Sequence, residues 1–106
     1  MSATPSLFDR LWRAQDGCCF HCGEEMCESR NHERQWSREH IYPRSRYSGG
    51  PIVLAHRSCN SARRSRGPTP DEITGGKAIY AAIGLPWVQA ARRLGPELGT
   101  ERDAQP

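Results

Sequence analysis

Two short pairs of soft metal ligands constrain this chain more than any other feature. Cys19-Phe-His-Cys22 is a Cys-x2-Cys unit followed by Gly23, and His56-Arg-Ser-Cys59 repeats the two-residue spacing further along the chain. A tight turn at the first pair lets both thiolates face one ion. Together the pairs make a Cys3His set, the donor combination of a closed tetrahedral zinc site. The gap between them is longer than in a simple zinc ribbon, so an inserted element is expected between the pairs.

A cross-link of this kind answers a need set by composition. The chain has 106 residues, enough for one domain with a small core. Hydrophobic residues make up only 36%, and the mean hydropathy is -0.78, so apolar burial alone gives thin support. Zinc is redox-silent, and a structural ion here is expected to supply folding energy that the core lacks. The cysteine count is five, an awkward number for a disulfide framework, which leaves Cys18 and Cys27 outside the proposed set. A redox Cys-x2-Cys is the remote alternative, because no thioredoxin-like βαβ pattern surrounds the pair. His21 and His32 are expected in solvent, without a role.

No apolar run is long enough to span a bilayer, and MSATPSLFDR lacks the pattern of a signal peptide. A cytoplasmic protein, with reduced thiols and no membrane partner, is the expectation. The net charge is +3, and of the 15 basic residues only Lys77 is lysine. Arginine forms bidentate contacts with phosphate, so the bias points to a polyanion; a GC-rich genome produces the same bias without any such partner.

Ser6 to Asp9 reads as a capped helix start, with Leu7, Phe8, Leu11 and Trp12 on one core-facing side and a stop at Asp16-Gly17. Residues 18–27 read as turns, 28–35 as a polar loop, and Trp36 to Tyr42 as a strand, with Trp36 in the core. A basic loop follows from Pro43 to Pro51, then a strand at Ile52 to Ala55 and a short helix from Arg57 to about Arg64. Thr69-Pro-Asp-Glu72 combines a cap, proline at the first helical position and a capping-box acid, predicting a helix towards Ile83 that ends at Gly84. Pro86 to Leu94 is expected to form another short helix, and residues 96–106 a disordered tail. The expected organisation is one domain over 1–95, with a motif core at about 16–67 and helices within 70–95.

Between the two ligand pairs lies Arg38-Glu39-His40-Ile41-Tyr42-Pro43-Arg44-Ser45, and Asn60 follows the last cysteine. A carboxylate beside a histidine, with a distant amide, can hold a divalent metal next to a base. Successive strand residues point to opposite sides, so Glu39 and His40 must sit at a bend if both act on one phosphate. Arg44, Arg46, Arg57, Arg63, Arg64 and Arg66 crowd this region, and a phosphate-contacting surface is expected there. A solvated helix face and loop is the plainer alternative.

In three segments, CFHCGEEM, REHIYPRSRYSGG and IVLAHRSCNSARR, the chain resembles the HNH endonuclease family, over about residues 11–67. The resemblance implies an α+β fold with a ββα-metal core: two strands and a helix holding one catalytic ion. By position, His40 would be the general base that activates water. Glu39 would replace the family's more frequent Asp as a ligand of Mg2+ or Mn2+, and Asn60 would be the second ligand. His56 stands where many zinc-containing members carry Cys; a catalytic His56 is the rival assignment. Where many members have Asn before the second strand, this chain has Pro51, so Ser48 or a backbone carbonyl would have to brace the loop. The implied activity is hydrolysis of phosphodiester bonds in DNA, and with so little surface beyond the motif a larger protein partner is expected to supply specificity. The alternative is an inactive zinc module that binds nucleic acid or a protein. Oligomeric state is left open by these residues.

Overall fold

A computed structural model describes residues 5–29, 32–64 and 66–93. It shows a small α+β arrangement: α1 (Leu7–Ala14), β1 (Trp36–His40), β2 (Tyr47–Ser48), β3 (Ile52–His56), α2 (Arg57–Arg63), α3 (Pro70–Ile83) and β4 (Ala91–Arg92). Strands β1 and β3 pair antiparallel from Trp36–His56 to His40–Ile52, and β2 pairs antiparallel with β4. Among the described residues, no helix is long and apolar enough to cross a membrane.

Helix α1 starts where the Ser6 hydroxyl accepts the Asp9 N–H at 3.1 Å, satisfying one of the free donors of the first turn. Its end is set by Asp16 and Gly17, both at positive φ. Leu11 is fully buried, and Phe8 and Trp12 pack against the same cluster. Leu7 departs from the expected core: it is 38% exposed. At 3.6 residues per turn, Phe8, Leu11 and Trp12 define the buried arc, and Leu7 falls at its edge.

The outer edge of β3 is closed by side chains rather than by another strand. The Gln15 amide accepts the Leu54 N–H and donates to the Leu54 carbonyl, at 2.9 and 2.8 Å. The Tyr80 hydroxyl does the same for Ile52, at 2.9 and 2.8 Å. These contacts dock α1 and α3 onto β3 and leave few open strand donors on that edge. Leu11, Cys19, Met26, Leu54, Ala55 and Tyr80 form one buried cluster, and Ile41, Tyr42, Val53 and Ala90 form a second.

Helix α3 has the full capping box, Thr69 with Glu72, and ends at Gly84 with φ 73°. Its paired glycines have separate causes. A methyl on Gly76 would lie 2.7 Å from the Trp87 ring and 3.2 Å from Ile41 Cδ1, whereas one on Gly75 would make an ordinary 3.5 Å contact with Phe20. Gly76→Ala therefore loses about 1–3 kcal/mol to overpacking against a helix gain of about 1 kcal/mol. Gly75→Ala keeps the gain. Thermal denaturation should show opposite shifts, a lower Tm for Gly76→Ala and a higher one for Gly75→Ala.

Two expected elements end differently. The strand from Trp36 stops at His40, and the chain bends through the buried Ile41 and Tyr42. The expected helix from Pro86 is not formed over 86–93, and Leu94 lies outside the described residues. Here tertiary contacts override helix propensity. Trp87 packs edge-on against Tyr80 at 5.6 Å. Ala90 is buried beside Tyr42, and Ala91–Arg92 hydrogen-bonds to Tyr47–Ser48. The tail at 96–106 also lies outside the described residues.

Candidate metal centre and adjoining cleft

The Cys-x2-Cys unit sits in a turn between α1 and β1, and His56-x2-Cys59 joins the end of β3 to the first turn of α2. Gly23 holds the turn at φ 79°, a conformation that favours glycine. Its N–H donates to the Cys19 carbonyl at 2.9 Å. The ligand atoms of Cys19, Cys22, His56 and Cys59 all lie within 4.8 Å of one another. Zn–S bonds near 2.3 Å in a tetrahedron put sulfurs roughly 3.8 Å apart, so this spacing suits one ion.

The backbone hydrogen bonds at Cys19 favour its thiolate form. The backbone N–H groups of His21 and His56 each donate to Cys19 Sγ at 3.3 Å. Burial pushes the Cys19 thiol up, but these donors and the Cys22 N–H outweigh it and bring its pKa down to about 7. Burial and the neighbouring Cys19 and Cys22 sulfurs push Cys59 up to about 12. A divalent ion would relieve that sulfur–sulfur conflict by supplying positive charge between the thiolates.

His56 is 5% exposed. Its Nδ1 faces Cys22 Sγ at 3.3 Å and Cys59 Sγ at 3.9 Å. Its Nε2 lies 2.8 Å from the Glu25 carbonyl, which only accepts, so Nε2 carries the proton and the Nδ1 lone pair points into the cluster. That orientation places His56 with the soft ligands rather than in the cleft described below. Cys18 and Cys27 stand apart: Cys18 Sγ donates to the Asp16 carbonyl, and Cys27 Sγ accepts the Ser29 N–H. His32 is exposed, and its Nδ1 accepts the Arg34 N–H at 3.0 Å.

His40, Pro43, Arg44, Ser45, Asn60, Arg63 and Arg64 line a cleft of about 220 Å3, which shares α2 with the cluster. Strand β1 delivers His40 from its last position, and α2 delivers Asn60 and Arg63 on one face, three residues apart. Asn60 Nδ2 donates to the Arg38 carbonyl at 2.9 Å and to Ser37 Oγ at 3.2 Å, which fixes the amide against β1. Burial lowers the His40 pKa, reinforced by the Arg44 charge; Glu39 opposes this, and Arg38 and Arg63 add to the lowering. The Pro51 carbonyl accepts the Ile41 N–H at 3.2 Å and ties down the bend after His40.

Glu39 is not among the residues lining this cleft. Both it and His40 lie within β1, so no bend separates them. The carboxylate is fully buried. Its Oε2 lies 2.6 Å from His21 Nε2 and also accepts from the Arg63 guanidinium, while Oε1 has no hydrogen-bond partner among the described residues. Arg63 also donates to the His40 and Ile41 carbonyls, so its charge is largely turned inward.

His21 was expected in solvent. It instead bridges Glu39 to Glu72, whose Oε2 lies 3.4 Å from His21 Nδ1. The Glu39 hydrogen bond raises the His21 pKa against the effect of burial, with the charges of Glu39 and Glu72 adding to the rise. Nothing in the local sequence marks this role, because both partners are distant in the chain. The place of Arg63 in the cleft had a signal, its three-residue spacing from Asn60 on one helix, but its inward contacts had none. Of the other arginines expected at phosphate, Arg44 and Arg64 reach the cleft. Arg57 donates to Gln35 Oε1 at 3.2 Å, and Arg66 pairs with Glu72 at 2.9 Å; neither these two nor Arg46 lines the cleft.

The described residues thus form a Cys3His cluster able to hold a metal such as zinc, beside a basic cleft with one histidine and one amide; no protein-family model, curated protein or solved structure matches the chain.

Proposed function

We propose that this protein is a metal-dependent endonuclease of the HNH, ββα-metal type that hydrolyses phosphodiester bonds in DNA. The observation that carries this reading is the placement of His40 and Asn60 in one arginine-lined cleft, beside a zinc-type cluster that requires neither of them. In that reading β1, β3 and α2 are the two strands and the helix of the core.

His40 accepts the proton of the attacking water. An imidazole held neutral by burial and nearby arginines is ready for that step near pH 7. Arg44 and Arg64 bind the phosphate oxygens and orient the scissile bond. Arg63 holds the backbone of His40 and Ile41 in place. The donors for Mg2+ or Mn2+ fit a hard cation in their chemistry: Glu39 Oε1 is an anionic oxygen without a hydrogen-bond partner among the described residues, and Asn60 spends its Nδ2 on β1 and keeps its amide oxygen. Asn60 would offer its oxygen to an ion in the cleft. Glu39, buried and turned to the other side of β1 from His40, would reach that ion only by leaving Arg63 and His21. An ion there would neutralise charge on the phosphate and the leaving oxygen.

A second reading, a zinc-bound module that binds nucleic acid without cutting it, draws on the burial of Glu39 against Arg63 and His21. Plasmid incubated with Mg2+ or Mn2+ separates the two. Nicking by the wild type and not by His40→Ala supports the nuclease; two inert proteins that keep their zinc and still bind DNA support the module.

A further inference from the structure

The sheet formed by β2 and β4 adds a basic surface that the motif residues do not contain. Register places Tyr47 opposite Arg92 and Ser48 opposite Ala91. Directly opposed strand residues share a face, and the Arg92 guanidinium stands 5.9 Å from the centre of the Tyr47 ring. Arg93 grips the loop itself: its N–H donates to the Arg46 carbonyl at 2.9 Å, and its Nε donates to the carbonyls of Arg44 and Tyr47 at 2.7 and 3.0 Å. Arg44 belongs to the cleft, so the ribbon and the cleft share one loop. The approach is close enough that a methyl on Gly50 would lie 2.8 Å from Ala90 Cβ.

Arg44, Arg92 and Arg93 are exposed, and none pairs with a carboxylate among the described residues. Arg92 on the ribbon, with the tyrosine ring beside it, Arg93 just after it and Arg44 in the adjoining loop are three exposed charges that a polyanion would neutralise.

We infer that the β2–β4 ribbon is a DNA-backbone docking surface that continues the cleft, with Arg92 contacting a phosphate flanking the one at His40 and Arg93 holding the loop that joins the two. The inference rests on the nuclease reading for the identity of the polyanion, but it concerns binding and not cleavage.

Fluorescence anisotropy with a labelled DNA duplex, without added Mg2+, tests it over a range of salt concentrations. Each phosphate contact contributes about 0.9 to the slope of log K against log salt. Arg92→Gln is expected to flatten the slope by about that amount and weaken binding alike on unrelated sequences. Arg92→Lys should keep the slope. The Arg92 side chain makes no hydrogen bond among those described, so circular dichroism and bound zinc should match wild type. An Arg92→Gln slope and affinity equal to wild type overturn the inference. If wild type also nicks plasmid in that case, the nuclease reading survives alone. If wild type binds with an Arg92-dependent slope but never cuts, the ribbon stands and the nuclease reading falls. A wild type that binds no duplex defeats both.

Discussion

Removing the metal from the Cys19, Cys22, His56 and Cys59 cluster should unfold this domain. A strong chelator is expected to abolish the far-ultraviolet helix signal, and refolding should require Zn2+. The cluster ties the turn before β1 to the β3–α2 junction. Structural zinc sites contribute about 10–16 kcal/mol to folding in small peptides, against a total stability of about 5–15 kcal/mol for a typical domain. The core here has two small patches, with ten buried hydrophobic residues among those described. Loss of the ion therefore exceeds what the core can offset. Cys59→Ser should behave like the metal-free protein, since a hydroxyl is a poor zinc ligand and the other three groups would be left crowded without a shared cation. Cys27→Ser is the control: Cys27 lies outside the cluster, and its zinc content and melting curve should stay near wild type. A Cys59→Ser protein that melts cooperatively, near the wild-type temperature and without zinc, would remove the cluster from the folding account.

The metal cluster was legible because its chemistry is local. Each pair is separated by two residues, and spacing alone lets both side chains face one point. The same holds for α3, where Thr69, Pro70, Glu72 and Gly84 write both ends of the helix into the sequence. Contacts made at a distance were not legible. Pro86 to Leu94 has helix-compatible residues, yet Trp87 and Ala90 gain more by packing on Tyr80 and Tyr42, and the backbone takes its hydrogen bonds from β2. The buried ionic chain from Arg63 through Glu39 and His21 to Glu72 draws one residue from each of four separate segments. No window of sequence contains it, and its members read separately: Arg63 as a phosphate contact, Glu39 as a metal ligand, Glu72 as a capping acid and His21 as a solvated side chain. Glu39 shows where a period-two rule was enough: it neighbours His40 in a strand, so burial of one side turns the other towards the cleft.

His40→Ala is expected to lower the nicking rate by about 10²–10⁴-fold, the usual contribution of a positioned general base, while duplex affinity and zinc content stay near wild type. The pH profile supplies the sharper test. A general base works in its neutral form, so the rate should rise with pH and level off once His40 has lost its proton. Burial disfavours the imidazolium, and the charges of Arg44, Arg38 and Arg63 disfavour it further; Glu39 alone pulls the other way. The balance lowers the pKa, so the acid limb of the profile should be centred below 6.5, the ordinary histidine value. A divalent ion in the cleft would move it in the same direction. Arg44→Gln removes the largest of the cationic contributions and should shift the limb towards higher pH, even where the plateau rate falls because a phosphate contact is lost. A limb centred above 6.5, or one that ignores Arg44→Gln, would mean that the titrating group is not His40. The proton acceptor would then have to be sought elsewhere than in this cleft.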